Sequence, residues 1–269
     1  MPDVPPRLEG ANNFRDLAEI NSHSPVSPRP GVLFRSELLD QISDKDLSII
    51  EKLNINAICD LRHGVERARR QNRWPQTNQP RIIGDAPSEG LDTSQTNKLL
   101  ARLNAPDFEA EEAMSVLRAS YRRMPYTLAA ALRSVFTHLL DKPGQPLLIH
   151  CTSGKDRSGF VCAMVLASLN VPMAVIERDY LLSKRRYPLE PIRQNLQSAL
   201  GENIAPERMK VLIDIATVHP SYLAAAFAEI EEHLGGIDQF LAGEIGLAAD
   251  QRDQLRQTLL LPTTTSEQQ

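Results

Sequence analysis

Apolar residues along this chain fall into two patterns. Short, nearly unbroken runs occur at residues 31–36 (GVLFRS), 55–62 (INAICDLR), 81–87 (RIIGDAP) and 146–149 (PLLI). Runs of that length, rich in Ile, Leu and Val, predict buried strands. Elsewhere the spacing turns helical. Ser43 stands as an N-cap before Asp44, Asp46, Leu47, Ile49, Ile50 and Leu53, the spacing of an amphipathic helix. A basic helix is expected at 65–73, with Arg67, Arg69, Arg70 and Arg73 on a solvated face. Residues 93–140 read as helix broken at Pro106 and Pro125, 160–169 as an apolar helix, and Val171-Pro172 as the start of another carrying Tyr180 and Ser183. From Pro188 to Leu261 the pattern is almost wholly helical, with Leu223, Phe227, Ile230 and Leu234 on one stripe. Residues 1–30 are rich in Pro, Asn and Ser and predict turns and extended chain. Strands alternating with helices imply an α/β fold: a small, mostly parallel sheet of four or five strands flanked by many helices. The expected organisation is a single domain over 1–262, with 1–30 as its N-terminal segment, 188–262 as its helical C-terminal part and 263–269 as a disordered tail.

Composition narrows this picture modestly. The 269 residues suffice for a substantial core, and the net charge of −4 argues against a general nucleic-acid binder. Cys59, Cys151 and Cys162 form neither a disulfide framework nor a zinc-ligand spacing, so no metal or other cofactor is expected. The thiols suit a reducing compartment. No signal peptide or unbroken apolar span of about 18 residues is present, and we expect a cytoplasmic protein without integral membrane association; export by a signal-independent route would leave no mark in the sequence.

The chemistry concentrates in residues 150–159, HCTSGKDRSG, between the PLLI strand and the helix beginning near Arg157. A loop feeding a helix N-terminus directs unpaired N–H groups and the positive end of the helix dipole at one point, so it favours an anion. Cys151 lies at its edge, where the same field favours the nucleophilic thiolate. Arg157 can grip two phosphate oxygens with its planar guanidinium. Gly154 permits positive φ and close approach, Ser158 offers a hydroxyl, and Lys155 adds a second cation suited to highly charged substrates.

This loop resembles the signature of the cysteine-dependent protein tyrosine phosphatase superfamily. The form HCxxGKDRxG is similar, more narrowly, to a bacterial family that includes a secreted mycobacterial tyrosine phosphatase and whose members in some cases also hydrolyse phosphoinositides. Asn13-Phe14-Arg15-Asp16, residues 34–39 (FRSELL), the DLR ending in Arg62, and Tyr121-Arg122-Arg123-Met124-Pro125 match further family segments. The resemblance implies a three-layer domain and attack by Cys151 on phosphorus to give a phosphocysteine, which water then hydrolyses. It implies that Thr152, Ser153, Gly154, Lys155, Asp156 and Arg157 cradle the phosphate, with Cys151, Arg157, Asp156 and Ser158 catalytic. His150 is expected to stiffen the loop, with Asn13, Arg15, Asp16 and Arg62 in support, Arg15 and Asp16 buttressing the loop. Tyr121 is either a surface residue or a neighbour of the pocket.

The proton donor stays open at this point. Asp85, at a strand end, is the first candidate, with Asp92 and Asp60 behind it and Asp156 as orienter or donor inside the loop. Cys59 is either a buried structural thiol or a partner for Cys151 on oxidation. The expected activity is hydrolysis of phosphotyrosine, with dual specificity within reach, on phosphorylated proteins. A phosphoinositide phosphatase and a phosphate-binding module without catalysis are the rivals. The sequence carries no signal of oligomeric state.

Overall fold

A computed structural model describes residues 7–21, 26–84, 103, 105 and 107–261. Among them five strands form one sheet: β1 (Arg15–Asp16), β2 (Leu33–Ser36), β3 (Ala57–Asp60), β4 (Arg81–Ile83) and β5 (Leu147–His150), in the order β1-β2-β5-β3-β4. β1 runs antiparallel to β2, and the other neighbours are parallel. The expected α/β architecture and strand number are therefore present. β5 is central because Leu147, Leu148 and Ile149 have apolar surface to bury on both faces.

Alternation along the strands divides the core. Phe34, Ile58 and Leu148 face Phe14, Leu39, Ile42 and Ile50, the last on helix α1 (Asp44–Leu53). Leu33, Ala57, Cys59, Leu147 and Ile149 face the other way, into the larger cluster. That cluster takes in α5 (Ala129–Asp141), α6 (Arg157–Ser168), α7 (Met173–Arg186) and α10 (Pro220–His233). The remaining described α-helices are α2 (Gly64–Arg69), α3 (Ala110–Arg122), α4 (Met124–Thr127), α8 (Leu189–Leu200), α9 (Pro206–Ala216), α11 (Gly236–Phe240) and α12 (Ala249–Leu259), with a 3-10 turn at Leu17–Asn21 and a π-helical turn at Leu241–Ile245. Ser43 starts α1 as expected, accepting from the Asp46 N–H while the Asp46 carboxylate accepts from Ser43 N.

Two expectations change. The basic helix ends at Arg69, and Arg69, Arg70 and Arg73 are exposed as expected, with Arg70 paired to Asp40 and Arg73 to Asp44. Arg67 departs from that face: it is half-buried and donates to the Asp60 and Arg62 carbonyls where β3 ends. The helical stretch before β5 breaks at Arg123, and Pro125 lies inside the first turn of α4, where its missing N–H costs nothing.

Candidate active site

The loop expected to bind an anion joins the C-terminal end of β5 to the first turn of α6. Its carbonyls are taken from outside. Thr152 O accepts from Leu38 N at 3.1 Å, Ser153 O from Asn13 Nδ2 at 3.0 Å, and Gly154 O from Arg35 Nη2 at 2.7 Å. Lys155 O accepts from the same Arg35 nitrogen at 3.3 Å. Carbonyls held on one side leave the N–H groups of a tight loop for a ligand on the other. Gly154 has φ +64°, and a Cβ there would lie 2.3 Å from the Ser36 carbonyl oxygen. Glycine is required on both counts.

Arg157 is fixed by a side chain from α2. Its Nη1 lies 2.7 Å from Glu66 Oε2 and 2.9 Å from the Leu61 carbonyl, and its Nη2 lies 2.9 Å from Glu66 Oε1. Thr152 Oγ1 also donates to Glu66. Burial alone would raise the Glu66 carboxyl, but the Arg157 hydrogen bonds and charge, with the Thr152 hydroxyl, bring it down to about 2. The same pairing outweighs burial at Arg157 and raises its pKa.

Beneath the loop lies a buried ionic core. Arg15 Nε donates to Asp179 Oδ1 at 2.7 Å, and Arg35 Nη1 donates to Asp179 Oδ2. All three residues are at most 2% exposed. Burial, then the neighbouring Arg35 cation, draws Arg15 down to about 10. Burial would raise Asp179, but the two guanidinium groups hold it below the ordinary carboxylate range. Arg15 also donates to Asn13 Oδ1 at 2.6 Å, so the asparagine that holds Ser153 is itself held. Asp16 has a different task from the buttress expected of it. Its carboxylate accepts from the N–H groups of Ala18 and Gly31, tying the turn after β1 to the entry of β2.

His150 is fully buried at the end of β5. Its Nδ1 lies 3.3 Å from the Cys151 carbonyl and its Nε2 lies 3.1 Å from Asn72 Nδ2. Burial lowers its pKa against the attraction of Asp60, whose Oδ1 lies 3.5 Å from Nε2. Both ring nitrogens therefore have a polar neighbour, which fixes the ring at the strand end. Asp60 is paired with Arg62 through Nε at 2.9 Å and Nη2 at 2.7 Å. Burial would raise Asp60, but the Arg62 hydrogen bonds and the neighbouring cations keep it low. Asp60 is thus engaged by Arg62, with His150 Nε2 beside its Oδ1. Asp85 and Asp92 lie outside the described residues.

Within the loop, Asp156 Oδ1 accepts from Tyr121 Oη at 2.6 Å, and Asp156 Oδ2 lies 3.4 Å from Lys155 Nζ. Lys155 also donates to the Ala216 carbonyl at the end of α9. Cys151 is 2% exposed, and Ser158 Oγ is buried without a hydrogen-bond partner among the described residues. Cys59, Cys151 and Cys162 are free and buried. Burial pushes both Cys59 and Cys162 up to about 12, which disfavours their thiolate forms.

A buried histidine and Cys151 at the start of the loop and a clamped Arg157 at its far end are thus brought together between β5 and α6. The profile of the tyrosine phosphatase family matches residues 6–261. The chain belongs to the tyrosine phosphatase family. It is 31% identical over 277 aligned positions to the triple specificity protein phosphatase PtpB of Mycobacterium tuberculosis, covering 94% of this chain and 98% of that one. A Cupriavidus necator protein, provisionally named a tyrosine-protein phosphatase, is 29% identical, covering 86% of this chain and 80% of its own. A crystal structure of P. aeruginosa TpbA in complex with pTyr aligns with 77% of this chain and 94% of its own at 14% identity, with a TM-score of 0.25. A likeness that loose carries no argument.

The phosphatase site includes residues that sequence reading did not single out. Glu66 was hidden in a helix read as a basic face. Asp179 carried a usable signal: it lies on the buried stripe of α7 with Val175, Ile176, Tyr180 and Ser183, and an acid on such a stripe must be paired. Arg35 lies in the FRSELL segment that resembles the family, but its tie to the loop carbonyls is not readable from that segment. We expect Glu66→Gln to lower kcat/KM for an aryl phosphate about ten- to hundredfold, the worth of ~1.5–3 kcal/mol in charge-assisted hydrogen bonds. Steady-state kinetics check this, and unchanged values would show that Arg157 holds its place without Glu66.

Proposed function

We propose that this phosphatase hydrolyses phosphotyrosine in proteins, with a pocket open to other phosphate monoesters, through a phosphocysteine on Cys151. The observation that carries the reading is the juxtaposition of Cys151 and the Glu66-clamped Arg157 at opposite ends of one loop. The Cys151 sulfur attacks phosphorus in line as the bond to the leaving oxygen breaks. Loop N–H groups and Arg157 stabilise the equatorial oxygens, where charge is greatest in the transition state. Asp156 gives its proton to the leaving oxygen. In the second step Asp156 takes a proton from water, whose oxygen displaces the Cys151 sulfur and frees inorganic phosphate. Asp156 is favoured for this work because its side chain is 37% exposed and belongs to the loop itself.

The name of the mycobacterial relative, triple specificity protein phosphatase, and Lys155 beside the phosphate site support a broad range of esters. The test is phosphate release by pure protein from an aryl phosphate, from phosphotyrosine, phosphoserine and phosphothreonine peptides, and from soluble phosphoinositides. Phosphotyrosine peptide is expected to turn over fastest. Faster turnover of phosphoinositide would transfer the reading to lipid substrates, and an absence of turnover on every ester would leave a binding module.

A further inference from the structure

Asp156 receives its hydrogen bond from the end of a short hydroxyl chain. Tyr121, from the last turn of α3, donates to Asp156 Oδ1 at 2.6 Å, and its oxygen lies 2.7 Å from Tyr180 Oη on α7. Both tyrosines are buried, Tyr121 at 2% and Tyr180 at 0% exposure. With Asp156 ionised the direction of the chain follows from valence: the carboxylate only accepts, so the single Tyr121 proton goes to Asp156 and Tyr180 donates to Tyr121. Burial, then the Asp156 charge, raises both phenols above their ordinary value, so they stay protonated donors through the alkaline range.

The rings are locked as tightly as the hydroxyls. Tyr121 meets Tyr180 edge-on at 6.2 Å between centroids and Tyr222 at 5.7 Å, and Tyr222 is itself anchored to the Ile215 carbonyl at 3.0 Å. Gly159, the last residue of the loop motif, lies under Tyr180. A Cβ there would come 2.9 Å from Tyr180 Cδ2 and 3.2 Å from Arg35 Nη2. That glycine therefore has a reason beyond phosphate binding, because a larger residue would displace the ring that starts the chain.

We propose that Tyr121 and Tyr180 are positioning residues for proton transfer to the leaving group: their hydroxyl chain holds Asp156 Oδ1 from one side while Lys155 Nζ lies 3.4 Å from Oδ2 on the other, so that the carboxyl group is fixed in one orientation. The Asp156 proton passes to the leaving oxygen as its bond to phosphorus breaks; neither tyrosine changes its proton count. The inference rests on the reading of Asp156 as the acid. It goes further, because it names the two residues that orient that acid.

Leaving groups of different basicity test it, because a good leaving group departs without a proton and a poor one does not. In Tyr121→Phe, kcat/KM for phenyl phosphate should fall about ten- to hundredfold, while that for 4-nitrophenyl phosphate falls less than about threefold. Tyr180→Phe should show the same split more weakly. Asp156→Asn should show it most strongly, and Tyr121→Phe added to Asp156→Asn should cost nothing further. Equal losses on both esters in both tyrosine variants, or full additivity with Asp156→Asn, would overturn the proposal and leave the tyrosines as packing. Urea midpoints accompany each variant, since a packing defect lowers stability without favouring one ester. If Asp156→Asn itself shows no split, the acid lies elsewhere and the proposal falls with that reading; if only the tyrosine variants lack it, the proposal falls alone.

Discussion

Replacing Cys151 by Ser is expected to lower kcat for an aryl phosphate by at least ~10⁴-fold, about 5.5 kcal/mol in the barrier, while leaving phosphate affinity within a few-fold. The change exchanges a sulfur nucleophile for an un-ionised hydroxyl and disturbs little else. Cys151 is buried at the start of the loop, and the loop is shaped by Asn13, Arg35 and Leu38 rather than by the cysteine side chain. Binding and turnover should therefore separate. Single-turnover kinetics with isothermal titration of inorganic phosphate measure both. Equal loss of affinity and rate would mean that Cys151 shapes the site and does not react in it.

The second large effect lies away from the reacting atoms. Asp179→Asn leaves two fully buried guanidinium groups, Arg15 and Arg35, without their shared counter-charge. Breaking a buried ion pair from one side costs ~3–5 kcal/mol, a large part of the 5–15 kcal/mol that stabilises a typical domain. Arg35 is also the residue that holds the Gly154 and Lys155 carbonyls. We expect a sharply lower denaturant midpoint and an activity loss that persists when stability is restored. Adding Arg35→Met to Asp179→Asn should recover part of the stability, because one orphan cation is gone, and none of the activity. The pH dependence has a definite sign. Asp179 is held below its ordinary value of 3.8, so its contribution is fully present above about pH 4 and is lost as pH falls through the lower folded value. Acid unfolding of Asp179→Asn should lack that component.

What sequence reading could reach depended on how local the physics is. The loop was legible because its demands fall on ten adjacent residues: a nucleophile, a positive-φ glycine and an arginine at a helix start. The strands were legible from their apolar runs, though β2 and β3 are shorter than residues 31–36 and 55–62, because pairing ends where neighbours in the sheet end. The support beneath the loop was not legible in the same way. Arg15 and Asp179 are 164 positions apart, and no local pattern pairs them. Glu66 sits among the arginines of a basic helix; its carboxylate accepts from His63 N and reaches across to Arg157, 91 positions away. Asp60 ends a strand of a parallel sheet, where functional groups often lie, and its pairing with Arg62 two residues on is not announced by the apolar run that precedes it.

The most direct test of the account is chemical capture of the intermediate. Wild-type protein is mixed with a labelled aryl phosphate, quenched within the first turnover, digested and mapped by mass spectrometry. We predict one phosphoryl group on the peptide containing Cys151, bound through sulfur, absent from Cys151→Ser and accumulating when hydrolysis of the intermediate is slowed in Asp156→Asn. A phosphoryl group on any other residue, or full turnover by Cys151→Ser with no captured intermediate, would contradict it.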